Sequence, residues 1–315
     1  MKKQLFQIKN EQIREKFEKL KKESPEKIKK DLKMSFSIWM FGSEELEKSF
    51  KRIKEAGYNY VELPGSHHVK ELGLDSNKVN KLLDKYDLEV SGVCGLFSPE
   101  TDLASNDPYK RKNAIKYIRN EIEFTKEVGG DYVIVVPSAV GRPDKIDDNE
   151  YERSISTLKM VADDFIEADI KAAVEPIRSA EVSLIHTIKD VKKYIKDVNH
   201  AGIQNINGDI FHMINEEKHI GDSILEAGEK LTNIHIADSN RGPIGEGMIN
   251  IDIVIMALYL INYNQTGKYV TGEPLGIGGN PYQLMHGKTD PEKLDFLVEK
   301  TRNHFKEREK LLTEK

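Results

Sequence analysis

The sequence predicts an α/β fold: a single (β/α)8 TIM barrel over residues 34–315, preceded by an N-terminal helical extension over residues 1–33. Three observations lead there. Eight apolar runs with strand character are each followed by a stretch of helical periodicity. The runs recur at intervals of roughly 25 to 45 residues, the size of one strand–helix unit. Carboxylates and imidazoles collect where successive runs end, and a parallel barrel keeps its chemistry at those ends.

The extension comes first. Ile13, Phe17 and Leu20 recur at helical spacing within a run dense in Lys and Glu, so a helix laid against the barrel is expected. Ser24-Pro25 has the form of a cap followed by a first-turn proline, opening a second short helix. The strands are then expected at Met34–Trp39, Tyr58–Leu63, Leu88–Cys94, Asp131–Pro137, Asp169–Glu175, Ile203–Asp209, Leu231–Ala237 and Lys268–Glu273. Between them run helical stripes: Leu46, Phe50 and Ile53; Ile115, Ile118, Ile122 and Thr125; Ile155, Leu158, Val161 and Phe165; and finally Leu294, Leu297, Val298 and Phe305. Gly57, Gly129-Gly130 and Gly202 stand where helices must stop before the next strand. An open doubly wound sheet would show a Gly-rich fingerprint after its first strand, and Met-Phe-Gly-Ser-Glu-Glu after Trp39 is not one.

Composition narrows the function classes. A charged fraction of 32% beside 38% hydrophobic residues suits a core wrapped by helices with Lys- and Glu-rich outer faces. No segment approaches the ~20 apolar residues that span a bilayer. The amino terminus lacks the features of a secretory signal, so a cytoplasmic protein with no membrane partner is expected. A net charge of −5 argues against nucleic acid. The single cysteine, Cys94, excludes an intrachain disulfide framework and a cysteine-built zinc site, and is expected to be buried.

The chemistry gathers at the last four strands. Val-Glu-Pro ends in Glu175, Asn-Gly-Asp in Asp209, Asn-Ile-His in His235 and Thr-Gly-Glu-Pro in Glu273. Oxygen-rich donors with one imidazole suit Mn²⁺, Co²⁺ or Mg²⁺ better than a structural zinc. Any one of these carboxylates alone could cap a helix or pair with a loop lysine; four polar groups on consecutive strand ends point to one divalent cation. Held there, Glu175 and Glu273 would face a chelated substrate from two sides and serve as an acid–base pair for proton exchange beside a carbonyl. His212 lies one helical turn past Asp209, placed either to bond a substrate hydroxyl or to orient a ligand. Glu181 and Arg241 fall in loops at the same mouth, substrate-facing or at the surface. Glu62, followed by His67 and His68, is left as a residue behind the ligands, a substrate contact or a loop anchor. The loop Leu275-Gly-Ile-Gly-Gly-Asn280 follows the eighth strand, where many barrels hold phosphate, yet no Lys or Arg stands between Glu273 and Gly287. An unphosphorylated substrate is therefore expected.

These motifs, with Gly-Asp-Ile-Phe-His-Met and Ile-His-Ile-Ala-Asp-Ser-Asn-Arg-Gly-Pro-Ile-Gly-Glu-Gly, resemble the sugar isomerase/epimerase superfamily built on the xylose isomerase-like barrel. The likeness is nearest to ketose 3-epimerases of the tagatose and allulose type. The resemblance implies that Glu175, Asp209, His235 and Glu273 hold Mn²⁺ or Co²⁺ and that the two Glu exchange the C3 proton of a free ketose. It further implies that Glu181, His212 and Arg241 hold the sugar, and that the chain forms a homo-oligomer. The chain departs from the pattern in its extra first 33 residues and in the loop Pro137-Ser-Ala-Val-Gly-Arg-Pro, which lacks an aromatic residue to face the sugar. Those departures leave an alternative open: a metal-dependent lyase or dehydratase on a keto-sugar, acting on an inosose or on a 3-oxo-glycoside with a small partner subunit. Abasic-site endonucleases of the same superfamily need more His ligands than this chain places; loss of one of the paired Glu would have suggested a non-catalytic sugar-binding subunit, and neither is lost.

Overall fold

All eight predicted runs form strands in the computed structural model of the protein, which describes residues 3–314. Helix α1 (Leu5–Glu23) precedes β1 (Lys33–Ser37); α2 (Leu46–Glu55), β2 (Tyr60–Gly65), α3 (Ser76–Tyr86), β3 (Glu89–Gly95), α4 (Pro108–Glu127) and β4 (Tyr132–Val135) follow. The second half runs α5 (Glu150–Lys159), α6 (Ala162–Ala168), β5 (Lys171–Val174), α7 (Ile188–Val198), β6 (Asn205–Asp209), α8 (Ile210–Glu216), α9 (Ile220–Ala227), β7 (Leu231–Ile236), α10 (Ile251–Leu260), β8 (Tyr269–Gly272), α11 (Pro281–His286) and α12 (Pro291–Thr313). The strands pair in parallel in chain order, and β8 returns to β1 to close the barrel.

The helices are held by the predicted stripes. Phe50 and Ile53 on α2, Ile118 and Ile122 on α4, and Leu294, Leu297, Val298 and Phe305 on α12 are buried. Gly57 and Gly129 stop α2 and α4 with φ of 87° and 73°, a left-handed turn that costs glycine little.

Three expectations need correction. The stripe from Ile155 to Phe165 is not one helix but two, because the chain tightens at Val161, whose N–H donates to Leu158 O at 3.1 Å and whose ψ is 6°. Leu158, Val161 and Phe165 are buried across the break all the same. Ser24 does not cap with its side chain; Pro25–Ile28 is a short 3₁₀ turn to which Ser24 contributes only its carbonyl, accepting from Lys27 N at 3.0 Å. The fifth strand is also shorter than predicted, since Asp169 is the left-handed cap of α6, at φ 58°.

The amino-terminal helix has a structural reason to exist. Helix α10, Ile-Asp-Ile-Val-Ile-Met-Ala-Leu-Tyr-Leu, is apolar almost all round, and every residue but Leu260 is buried. A helix of that kind needs cover on more than its barrel side. Helix α1 supplies it: Phe17 packs on Tyr259 with ring centroids 5.9 Å apart, and Ile13 reaches so close to Gly221 that a Cβ there would meet its Cδ1. Burying Phe17 alone contributes roughly 1.5–3 kcal/mol. Among the described residues no helix is long and apolar enough to cross a membrane.

Candidate active site

The barrel's register sets the site. Asp209, the last residue of β6, is abreast of His235 on β7. Glu175 and Glu273 each stand one residue past their strands and continue the ladder, with Glu175 N donating to Val135 O at 3.0 Å and Glu273 N to Ile236 O at 2.9 Å. Because side chains alternate along a strand, the inward residues two positions earlier lie directly beneath. These are Asn207, Asn233 and Thr271, all fully buried. They form a hydrogen-bonded floor: Thr271 Oγ1 donates to Asn233 Oδ1 (2.8 Å), Asn233 Nδ2 to Asn207 Oδ1 (2.9 Å) and Asn207 Nδ2 to Glu175 Oε1 (2.9 Å).

His235 is oriented from behind. Its Nε2 donates to Glu62, whose oxygens lie 2.9 and 3.0 Å away, and Glu62 also accepts from the Tyr132 hydroxyl at 2.8 Å. Glu62 is therefore the carboxylate behind the imidazole, which decides among its three sequence readings. The arrangement turns Nδ1 toward the acids: 3.4 Å from Glu273 Oε1 and 3.8 Å from Glu175 Oε1. Asp209 divides its oxygens, Oδ1 capping α8 through Phe211 N at 2.9 Å and Oδ2 facing Arg241 Nη1 at 2.5 Å.

The residues present fit a hard divalent cation. Glu175, Asp209 and His235 each bring a donor atom within 4.8 Å of the others, and Glu273 adjoins His235. Glu62, Cys94 and Glu273 also approach one another, but both Glu62 oxygens are already engaged. Burial, with Glu62, Glu273 and Glu175 nearby, pushes the Cys94 thiol far above its usual range, so it offers no thiolate. Burial likewise lifts Glu175 to about 8, with Glu273 and Asp209 adding to the rise against His235. Glu273 is raised too, chiefly by burial. Burial also opposes ionisation of Asp209, yet Arg241, His212 and His235 hold it down at about 2. Three acids are crowded together here, two of them driven toward protonation chiefly by burial, and a bound cation's charge would favour their ionised forms.

The other predicted residues share one cavity of about 480 Å³ with Glu175 and Glu273. Arg241 is not at the surface: its guanidinium bridges Asp209 and Glu273. Its backbone, at φ 58°, is fixed as Arg241 N donates to Asp238 O while Leu275 N and Gly276 N donate to Arg241 O. The Asp238 carboxylate serves this loop, accepting from Ser239, Gly245 and Ile249 N–H groups. His212 lines the cavity with Nε2 3.4 Å from Asp209 Oδ2, and burial holds its pKa down at about 4, so the ring is neutral at pH 7. Among the described residues Glu181 makes no hydrogen bond or ion pair to Glu175, Asp209, Glu273 or His235; its Oε1 accepts from Arg178 Nε at 2.5 Å. His67 lies apart, tied to Glu121 and Leu74, whereas His68 stacks on Tyr117 at the cavity wall.

Sequence reasoning missed several members. Trp39 donates Nε1–H to Glu273 Oε1 at 2.7 Å, and the Arg178 and Arg241 guanidinium groups lie against the Phe211 ring, 4.8 and 4.4 Å from its centroid. Phe211 and Phe97 give the cavity the aromatic surface that the loop after β4 lacks. Asn207 and Asn233 were detectable, since each stands two residues before a strand-end ligand candidate, where a polar side chain must point into the barrel. Replacing Glu62 by Gln should leave the fold intact but weaken metal affinity about 10- to 100-fold, as loss of a carboxylate behind a ligating His does. Titration calorimetry would check it, and unchanged affinity would remove Glu62 from the site.

Comparison with known proteins agrees with this architecture. A ketose 3-epimerase of Arthrobacter globiformis is 26% identical over 231 residues, 72% of this chain and 78% of the relative. A 3-dehydro-D-guloside 4-epimerase of Escherichia coli (strain K12) is 28% identical over 232 residues, 71% of this chain and 86% of that one. The crystal structure of D-allulose 3-epimerase from Methylomonas sp. with D-allulose shares the fold at a TM-score of 0.76 and 22% identity, covering 89% of this chain and 98% of its own. The family described as the xylose isomerase-like TIM barrel matches residues 50–271, which reach from α2 to β8. With most of the barrel inside that match, the chain belongs to the xylose isomerase-like TIM barrel family.

Proposed function

We propose that the chain is a divalent-metal-dependent sugar epimerase that exchanges the proton on the carbon beside a ketone, at C3 of an unphosphorylated free ketose. The observation that carries the reading is the placing of Glu175 and Glu273 past the ends of β5 and β8, either side of His235 and in the wall of one cavity. The epimerases among the relatives support it.

Glu175, Asp209, His235 and Glu273 would hold the cation, with Mn²⁺, Co²⁺ or Mg²⁺ suited to three carboxylates and one imidazole. Bound there, such an ion polarises the ketone and acidifies the adjacent C–H. One Glu then takes the C3 proton from one face as the other, protonated, returns one to the opposite face; the pair exchanges roles in reverse. Trp39 fixes the rotamer of Glu273 through its indole N–H, and Asn207 fixes Glu175. His212, Glu181 and Arg241 are assigned to the sugar's oxygens from their places in the cavity wall.

The test is incubation of Mn²⁺-loaded protein with D-fructose, D-tagatose and L-ribulose in deuterium oxide. Deuterium should enter at C3 with formation of the C3 epimer and without loss of any leaving group. A fully metal-loaded protein that exchanged no proton on any of the three would end the proposal.

A further inference from the structure

We infer that the cleft above the carboxylates takes a neutral keto-sugar bearing an apolar substituent at the end remote from its carbonyl; the inference rests on the epimerase reading and names its substrate class. The cavity that has Glu175 and Glu273 in its wall rises between Phe97, Val140, Ile177, Phe211, Leu275 and Met285. These come from the C-terminal sides of β3, β4, β5, β6 and β8 and from α11, so apolar side chains reach the cavity from several sides, between polar lining residues such as His68, Ser98, Glu181 and His286. A bare ketose presents hydroxyls in every direction. Each one pressed against such a wall forfeits its water and costs about 1–3 kcal/mol. An alkyl or aryl group in the same place gains about 25 cal/mol for each Å² it buries.

Charge excludes the other common substituents. Two guanidinium groups line the cavity: Arg178 is paired with Glu181, and Arg241, already assigned to the sugar's own oxygens, is paired with Asp209 and Glu273. No lysine lines it among the described residues. A phosphate or carboxylate at the sugar's remote end would find neither a lysine nor an unpaired guanidinium among the described lining residues.

The roof over this cleft is pinned in place. A Cβ on Gly42 would fall 2.3 Å from Gly287 O and 2.5 Å from Leu284 O, and Ser43 N donates to that same Gly287 carbonyl at 3.0 Å. The turn Trp39–Phe41, whose Trp39 bonds Glu273, is thereby clasped to the segment carrying Met285. The loop after β4, which lacks the aromatic residue of the family pattern, contributes Val140 to the cavity.

The experiment compares D-fructose with 6-O-benzyl-D-fructose on the Mn²⁺-loaded full chain, reading C3 deuterium incorporation by mass spectrometry and binding by calorimetry. The benzyl sugar should show a kcat/KM at least about tenfold higher, carried by KM, as burial of an aromatic ring allows. Val140→Asn and Met285→Gln should each shrink the ratio of the two sugars about threefold or more. A ratio at or below one, with fructose turned over, overturns the inference and leaves the epimerase reading standing. Should neither sugar exchange, D-tagatose and L-ribulose decide the epimerase reading, and binding decides the cleft: benzyl sugar held about tenfold more tightly than fructose supports it, and equal affinities overturn it.

Discussion

Glu273→Gln is expected to abolish net epimerisation, lowering kcat by about three to four orders of magnitude, while the C3 proton of one epimer continues to exchange with solvent. The reason is geometric. The two carboxylates stand on β5 and β8 with β6 and β7 between them, so each can reach only one face of a ketose held at the centre. With Glu273 neutralised, Glu175 can still remove and return a proton on its own face, which labels one epimer without converting it. Glu175→Gln should give the mirror result and label the other epimer. Metal content must be measured beside the label, because both residues are proposed ligands, and a Gln carbonyl is a weaker donor than a carboxylate. At full metal loading, two variants that label the same epimer, or either one retaining near-parent turnover, would defeat the two-base mechanism.

How far the sequence carried this site follows from what a linear pattern encodes. Strand ends are visible as apolar runs that stop at a charged residue, so Glu175, Asp209, His235 and Glu273 could be named, and the register then brings three of them within 4.8 Å. Barrel closure was legible for the same reason, since the alternation recurs along the whole chain. The particular contacts made from distant parts of the chain were not, even where the residue itself, as with Glu62, had been singled out. Glu62 reaches His235 across 173 positions and Trp39 reaches Glu273 across 234, and no local spacing announces either contact. The break between α5 and α6 was hidden because Leu158, Val161 and Phe165 keep one face buried on both sides of it. Arg241 was placed at the mouth but not in the acid cluster, because its direction depends on a left-handed backbone residue inside a loop.

Loading the metal-free protein with Mn²⁺ or Co²⁺ near neutral pH should release about two protons per ion, and apparent affinity should climb as pH rises toward 8. Glu175 is pushed up to about 8 by burial and its acidic neighbours, so it is largely protonated at pH 7 and must ionise to ligate. Burial alone would lower His235, but Glu273, Glu62 and Glu175 outweigh it and raise the ring well above the usual imidazole range. It too carries an extra proton, which leaves from Nδ1 because Nε2–H is committed to Glu62. The same shifts set the sign for stability without metal. A carboxyl whose folded pKa lies above its unfolded 4.5 favours the folded state most at low pH, and that contribution is lost as pH rises from about 4.5 through 8. Metal-free protein should therefore melt at progressively lower temperature across that window, with the slope reduced in Glu175→Gln and the loss reversed by added metal. Calorimetry in buffers of different ionisation enthalpy counts the protons. Metal binding with no proton release, on a metal-free protein whose melting temperature is flat between pH 5 and 8, would show that these acids are not waiting for a cation.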